Sequence, residues 1–106
     1  MSDWFGVCPV NDLPPGGKTV IDIDDAMVLV TNIEGTVYAI EDICTHDGGE
    51  LASGPLEGCE IVCPRHGARF CVKTGKALCA PAYEDVPKFP VKIENDIIFV
   101  RDDRWD

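Results

Sequence analysis

Two short clusters combine both histidines of the chain with two of its six cysteines. One residue separates Cys44 from His46, two residues separate Cys63 from His66, and sixteen residues lie between the two pairs. Thiolate is a soft ligand and imidazole a borderline one, so each pair can bind a transition metal. The four side chains together predict a metal site with two sulfur and two nitrogen ligands.

Zinc and iron both fit this set of ligands. A structural zinc binds two cysteines and two histidines tetrahedrally, usually with cysteine spaced against cysteine and histidine against histidine. Here each cluster is mixed. A [2Fe–2S] centre in which two histidines replace two cysteines needs both thiolates on one iron and both imidazoles on the other. Two mixed loops can supply this arrangement, so the spacing favours iron and leaves zinc open.

The segments on either side of the two clusters have the pattern of short β-strands separated by turns. Apolar and β-branched residues recur with a period of two, and no window sustains a period of 3.6. The predicted strands are Lys18–Ile23, Met27–Asn32, Thr36–Glu41, Glu60–Val62, Arg69–Val72, Pro90–Ile93 and Ile97–Arg101. We therefore expect an all-β fold, a small antiparallel sandwich or barrel, forming a single domain over residues 1–106.

Composition limits the partners and the compartment. The formal net charge of −10 disfavours nucleic acid, which needs a basic surface. No segment approaches the roughly 20 apolar residues of a membrane helix, and the first residues lack the features of a secretory signal. We expect a cytoplasmic protein with no membrane partner. Four cysteines match no ligand position, and in a reducing compartment we expect thiols, with Cys71 buried and Cys59 exposed; the other two are Cys8 and Cys79.

The sequence of the two clusters resembles a known family. CTH in the first and CPRHGARF in the second, with Pro64 and Gly67 in their family places, resemble the motifs of Rieske iron–sulfur proteins. The resemblance extends over almost the whole chain, from DLPPGG through TVYAIEDICTH to TGKALCAPA and the final hairpin. It is closest to the small Rieske-type ferredoxins of bacterial aromatic-ring-hydroxylating dioxygenase systems.

This resemblance implies a particular architecture and cofactor. The expected fold is a β-sandwich base that carries an inserted cluster-binding subdomain. One [2Fe–2S] cluster would lie between loops at about residues 43–49 and 62–70, covered by a proline loop at about residues 79–82 that contains Pro81. The implied ligands are Cys44 and Cys63 on one iron, and His46 and His66 on the other.

Departures from the high-potential members of the family indicate a low reduction potential. Those members carry an extra cysteine in each loop, joined as a disulfide, where this chain has Gly49 and Arg65. They also place hydroxyl donors to sulfur where this chain has Ala68 and Phe70. Because such donors stabilise the reduced cluster, we predict a potential near the bottom of the Rieske range, roughly −150 mV. Arg65 and Arg69 add positive charge beside the cluster. Three roles are open for them: they orient a partner, they offset the negative charge of the reduced cluster, or they are ordinary solvent-exposed arginines.

The chain lacks the residues of an oxygenase active site. Oxygenases of this family hold a mononuclear iron through two further histidines and a carboxylate, and this chain has no further histidine. The resemblance implies a non-enzymatic, monomeric one-electron carrier between an NAD(P)H-dependent reductase and a terminal ring-hydroxylating oxygenase, binding each partner transiently. The alternatives are a small Rieske-like subunit of a nitrite reductase, and a zinc-binding or redox-sensing module.

Overall fold

The computed structural model describes residues 4–45, 48–65, 67–80 and 84–104. Within these ranges the chain forms eleven β-strands and one 3₁₀ helix, Val10–Asp12. The strands are β1 (Trp4–Pro9), β2 (Lys18–Ile23), β3 (Ala26–Ile33), β4 (Thr36–Glu41), β5 (Leu56–Glu57), β6 (Glu60–Val62), β7 (Arg69–Cys71), β8 (Ala77–Cys79), β9 (Lys88–Phe89), β10 (Val91–Glu94) and β11 (Ile97–Arg101). The predicted all-β fold is confirmed. No helix in the described ranges has the length and apolar character needed to span a membrane.

The strands form three antiparallel sheets, and the chain segment that builds the third sheet is inserted between two strands of the second. The first sheet has the order β1-β11-β10, the second β2-β3-β4-β9 and the third β5-β6-β7-β8. The chain leaves the second sheet after β4, builds the whole third sheet, and returns as β9 beside β4, where Ala39 pairs with Phe89. The predicted inserted subdomain is therefore the third sheet with its loops.

The first and second sheets together form the base of the fold, and two-residue turns set the register of its hairpins. Three hairpins are closed by pairs of residues that both have positive φ, as in type I′ turns, whose twist matches that of the flanking strands. These pairs are Asp24-Asp25, Glu34-Gly35 and Asn95-Asp96. Each hairpin then pairs directly up to the turn, with Ile23 opposite Ala26 and Ile33 opposite Thr36. The period-two face assignments of β2, β3 and β4 follow from this register.

The second sheet is buried on both faces, which explains the nearly continuous apolar run in β3. Val28 and Val30 face a first core shared with the β1-β11-β10 sheet, which includes Ile98 and Val100. Leu29, between them, faces a second core shared with the inserted sheet. The further fully or nearly fully buried members of this second core are Ile40, Cys44, Leu51, Ile61, Cys63, Ala68, Phe70, Val72 and Val86. The inserted sheet is thus packed directly on the base.

Polar contacts also fix the insert to the base. The Asp42 carboxylate, one residue after β4, accepts hydrogen bonds from the backbone N–H groups of Leu51 (2.8 Å) and Ala52 (2.9 Å). The Lys18 ammonium on β2 donates to the Gly54 carbonyl. Gly54 has no room for a side chain, since a Cβ there would lie 1.8 Å from the Val62 carbonyl oxygen. The segment after the first Cys/His cluster is therefore held at three successive points.

Candidate metal centre

The first Cys/His loop follows β4 and is closed by its own backbone. The Cys44 N–H donates to the Gly49 carbonyl (2.7 Å), and the Cys44 carbonyl accepts from the Gly48 N–H (2.7 Å). Gly48 has φ 75°, a left-handed conformation that favours glycine. The glycine that follows the histidine by two residues is therefore required by the shape of the loop.

The second loop, between β6 and β7, repeats the same closure. The Cys63 N–H donates to the Ala68 carbonyl (2.7 Å), and the Cys63 carbonyl accepts from the Gly67 N–H (3.1 Å). Gly67 has φ 76°. In both loops, then, the cysteine bonds to the fourth and fifth residues after it, with a left-handed glycine at the fourth. Two loops of one design each present a cysteine at the same position.

Both of these cysteines are withdrawn from water. Cys44 is 0% exposed and Cys63 1% exposed, and both belong to the second core together with Ala68 and Phe70. All six cysteines lie in the described part of the chain and none forms a disulfide. A pair of buried thiols on matching loops is a soft donor set that fits one iron of a [2Fe–2S] cluster.

Both predicted histidine ligands, His46 and His66, lie outside the described residues. Within the described ranges no three His, Cys, Asp or Glu side chains form a group that can hold a metal ion. The structure therefore places one predicted ligand on each loop, and the complete ligand set stays a prediction.

Pro81, predicted to cover the site, also lies outside the described residues, but the residues beside that segment contact both loops. The Cys79 thiol donates to the Gly67 carbonyl (3.7 Å) on the second loop. The Thr45 hydroxyl, next to Cys44, donates to the Glu84 carbonyl (2.7 Å). Cys79 on one side of Pro81 thus contacts the second loop, and Glu84 on the other side contacts the first.

Arg65 links the two loops, a role that its sequence position did not reveal. Its Nη2 donates to the Glu50 carbonyl (2.7 Å) and lies 3.4 Å from the Cys63 sulfur, and Nη1 lies 3.8 Å from the Glu50 carboxylate. A Cβ built on Gly49 would lie 2.4 Å from the guanidinium carbon. The only sequence signal was that glycine and arginine together replace the two extra cysteines of the high-potential proteins.

The remaining residues near the loops behave differently from one another. Ala68 and Phe70 are both 0% exposed and carry no hydroxyl, as the low-potential prediction requires. Arg69 is bound by two carboxylates, Glu57 at 2.9 Å and Glu60 at 3.3 Å. These partners raise the pKa of Arg69, chiefly through its hydrogen bond to Glu57. Its charge is therefore offset locally.

Cys59 and Cys71 lie in contact, which the sequence did not predict. Their sulfurs are 4.0 Å apart, and both residues are half-buried. The expectations of a buried Cys71 and an exposed Cys59 were therefore both wrong, since each residue is half-buried. Cys79 is exposed and Cys8, on β1, is half-buried.

Comparisons with known proteins agree with this geometry. Residues 3–90 match the model of the Rieske [2Fe-2S] domain. The chain is 40% identical over 93 residues, 88% of this chain and 89% of the relative, to the ferredoxin component of the naphthalene 1,2-dioxygenase/salicylate 5-hydroxylase systems of a Ralstonia species. It is 43% identical over 94 residues, 88% of each chain, to the 3-phenylpropionate/cinnamic acid dioxygenase ferredoxin subunit of Escherichia coli K12.

A solved structure extends the similarity to three dimensions. A chain in the complex of reduced oxygenase and oxidised ferredoxin of carbazole 1,9a-dioxygenase superimposes with a TM-score of 0.87 at 33% identity, covering 92% of this chain and 91% of that one. Fold and site together define a small β protein with two matching cysteine loops. The chain belongs to the Rieske [2Fe-2S] domain family.

Proposed function

We propose that this protein is a one-electron carrier, folded as a single domain over residues 1–106, with one [2Fe–2S] cluster as its cofactor. The cluster, when bound, supplies a centre that gains and loses one electron at a time. The proposed ligands are Cys44 and Cys63 on one iron and His46 and His66 on the other. The loops at about residues 43–49 and 62–70 would hold it, with the proline loop at about residues 79–82 as its cover.

The observation that carries this proposal is the repeated loop. Cys44 and Cys63 occupy equivalent positions in two loops of the same hydrogen-bonded design, and both thiols are almost inaccessible to water. Each cluster also contains one cysteine and one histidine, and a two-iron centre with two sulfur and two nitrogen ligands takes one ligand of each kind from each loop. Burial among apolar side chains also keeps water from the thiolate side of the cluster.

The relatives indicate where the electrons go. The two curated relatives are named as ferredoxin components of dioxygenase systems, and the solved complex pairs such a ferredoxin with its oxygenase. We infer that this chain accepts electrons from an NAD(P)H-dependent reductase and passes them to a terminal ring-hydroxylating oxygenase in the breakdown of aromatic compounds. It is the electron-transfer component and not the catalyst. Identity of 40% to such components favours this function over the nitrite reductase subunit and the zinc or redox-sensing module.

The physical setting of this carrier follows from charge and composition. A net charge of −10 suits brief, electrostatically steered encounters with basic patches on the reductase and oxygenase, weakened by added salt. We propose that the protein works in the cytoplasm as a monomer.

Metal analysis and spectroscopy test the proposed cofactor. We expect equal amounts of iron and acid-labile sulfide, a brown protein, and a rhombic EPR signal after reduction. The His66→Ala variant should lose the two-histidine spectrum, and Cys63→Ser should lose the cluster, whereas Cys79→Ser, the exposed control, should keep both. A His66→Ala protein with an unaltered spectrum would contradict the ligand set, and colourless zinc protein would contradict the cofactor.

Potential and turnover test the proposed role. We expect a midpoint near −150 mV, and a value above about +100 mV would contradict assignment to this low-potential group. The protein should also support product formation when it replaces the ferredoxin in a reconstituted dioxygenase assay, with a rate that falls as salt rises. Full oxygenase turnover without any ferredoxin would remove the need for the carrier.

A further inference from the structure

We propose that Arg65 is a positioning residue that joins the two cluster loops and raises the reduction potential of the cluster. The inference rests on the proposed function, because it takes Cys63 as an iron ligand. It assigns to an arginine–glycine pair the bracing that a disulfide provides in the high-potential members.

The contacts of Arg65 reach both loops. Arg65 belongs to the second loop, while the Glu50 carbonyl, which accepts from Nη2 at 2.7 Å, directly follows the first. The ion pair to the Glu50 carboxylate, at 3.8 Å, adds a second link to the same residue. A planar guanidinium with several donors in fixed directions suits such a multiple contact, and lysine cannot reproduce it.

The same guanidinium touches a proposed ligand atom. Its Nη2 lies 3.4 Å from the Cys63 sulfur, within the range of an N–H···S hydrogen bond. Reduction adds negative charge to the iron–sulfur unit, and a cationic donor at a ligand sulfur stabilises that charge more than it stabilises the oxidised state. The side chain is 34% exposed, so water screens this effect only in part. Arg65 therefore partly compensates for the hydroxyl donors absent at Ala68 and Phe70.

Gly49 makes room for this arrangement. The Cβ of any other residue there would lie 2.4 Å from both the guanidinium carbon and Nη2 of Arg65, far inside van der Waals contact. Gly49 and Arg65 thus form one unit, although sixteen positions separate them in the chain. A substitution at either residue should disturb the same contact.

The test measures midpoint potentials of the holoprotein with four variants. Arg65→Leu removes charge and donors, Arg65→Lys keeps the charge but not the fork, and Gly49→Ala displaces the guanidinium. Arg69→Leu is the matched control, because Arg69 lies on the same hairpin but pairs with Glu57 and Glu60. Arg65→Leu should favour the oxidised state about tenfold, a fall of about 59 mV for one electron. Arg65→Lys should recover part of this shift, and Arg69→Leu should change the ratio less than twofold.

A double substitution separates bracing from general damage. If Gly49 acts through Arg65, Gly49→Ala should lower the potential in the native protein and add nothing in the Arg65→Leu background. Additive shifts in potential would overturn the inference. So would an Arg65→Leu variant whose ratio of oxidised to reduced protein, at a fixed potential, lies within twofold of the native ratio. Should Arg65→Leu fail to retain iron, Arg65→Lys and Gly49→Ala decide the matter in its place. Absence of iron and sulfide from the native protein would instead defeat the proposed function.

We also infer, from separate contacts, that Cys59 and Cys71 form a dithiol that a small disulfide can oxidise to an intramolecular disulfide. The sulfurs are already 4.0 Å apart, and the Val72 N–H donates to the Cys59 carbonyl (2.8 Å), which fixes the two backbones side by side. Cys59 also lines a cleft of about 410 Å³ between insert and base, together with Lys73. This cleft gives a small reagent access to Cys59, and Cys71 is itself only half-buried.

The environments of the two thiols differ in a way that suits stepwise exchange. Burial raises the pKa of the Cys59 thiol. Burial also acts to raise the pKa of the Cys71 thiol, but hydrogen bonds from Thr74 and Lys73 outweigh it and the pKa is lowered. The Cys71 thiolate would attack a low-molecular-weight disulfide such as oxidised glutathione and release one thiolate. Cys59, losing its proton, would then attack the Cys71 sulfur and release the second, so that two cysteine thiols and one disulfide give one protein disulfide and two small thiols.

Peptide mapping tests this reaction on the holoprotein. After equilibration in glutathione buffers, acid quenching, alkylation and trypsin digestion, the disulfide should join two separate peptides, since Arg65 and Arg69 lie between the cysteines. Cys59→Ser should accumulate the mixed disulfide at Cys71, and exposed Cys79 should form only a mixed disulfide. If the native protein gives no joined peptide at a buffer ratio that modifies Cys79, the inference is wrong.

Discussion

The two cores allow a matched pair of substitutions that separates the stability of the site from that of the base. Phe70 is 0% exposed in the core that contains Cys44 and Cys63, and Phe89 is 2% exposed in the core between the other two sheets. Leucine at either position removes three buried carbons. At about 0.8 kcal/mol per buried carbon group, each change should cost about 2 kcal/mol in unfolding free energy.

Phe70→Leu and Phe89→Leu should lower the melting temperature for global unfolding by similar amounts. For a domain of this size, 2 kcal/mol lowers the melting temperature by about 8–16 °C, which circular dichroism measures directly. The rate at which the cluster is lost should differ between the two variants. If iron is released by local opening of the insert, Phe70→Leu raises the open population by about 30-fold, since 1.4 kcal/mol is a factor of ten. Phe89→Leu should leave that local opening nearly unchanged.

The decay of visible absorbance, well below the melting temperature and in the presence of an iron chelator, measures this release. We expect rapid bleaching for Phe70→Leu and nearly native bleaching for Phe89→Leu, despite similar melting temperatures. Equal bleaching of the two variants would show that the cluster is lost only on global unfolding. The division of the molecule into two separately opening cores would then be wrong.

Two further predictions concern residues away from the cluster. The buried Asp102 carboxylate accepts hydrogen bonds from Arg104 at 2.8–3.0 Å, and these lower its pKa from 3.8 to about 2. Because the pKa of this carboxyl is lower in the folded state than in the unfolded state, it contributes about 2 kcal/mol of stability. This contribution is present above about pH 5 and is lost towards pH 2. The difference in urea unfolding free energy between native protein and Asp102→Asn should therefore shrink from pH 6 to pH 3, and a constant difference would contradict it. Gly54→Ala places a carbon 1.8 Å from the Val62 carbonyl oxygen and should lower both melting temperature and iron content. Gly6→Ala, with 3.7 Å to Phe99, is the control and should change neither, and a fully loaded, thermally native Gly54→Ala protein would contradict the close packing seen there.

Local sequence was sufficient for most of the strands, including the three-residue β6. β2, β4, β6 and β11 begin and end at the predicted residues, and β3 differs from its prediction by one residue at each end. Their alternating side chains and two-residue turns determine register without reference to the rest of the chain.

The strands that the sequence did not predict are short or irregular. β5 and β9 contain two residues each, too few to show a period. β8 contains three residues, and all three strands are defined by their pairing with a neighbouring strand. β1 is longer, but a shift in register between Gly6 and Cys8 interrupts its alternation. A bulge of this kind is visible only when the partner strand is known.

For the site, sequence spacing named residues but not contacts. Cys44 and Cys63 could be singled out because histidine follows each of them closely. The contact between Gly49 and Arg65, and that between Cys59 and Cys71, depend on how two loops and two strands meet. No local sequence pattern predicts such long-range contacts, so the chemistry of these pairs can be inferred only from the folded structure.

The double burial of the second sheet has a further consequence for how this molecule can be altered. Because the insert leaves β4 and returns at β9, its two ends are neighbours, and the connection between them could be shortened to a simple turn. Such an excision would leave Leu29 and Ile40, now 0% exposed, facing water on the outer side of the sheet. The part that carries the electron and the part that supports it are therefore inseparable in practice, since each is the solvent shield of the other.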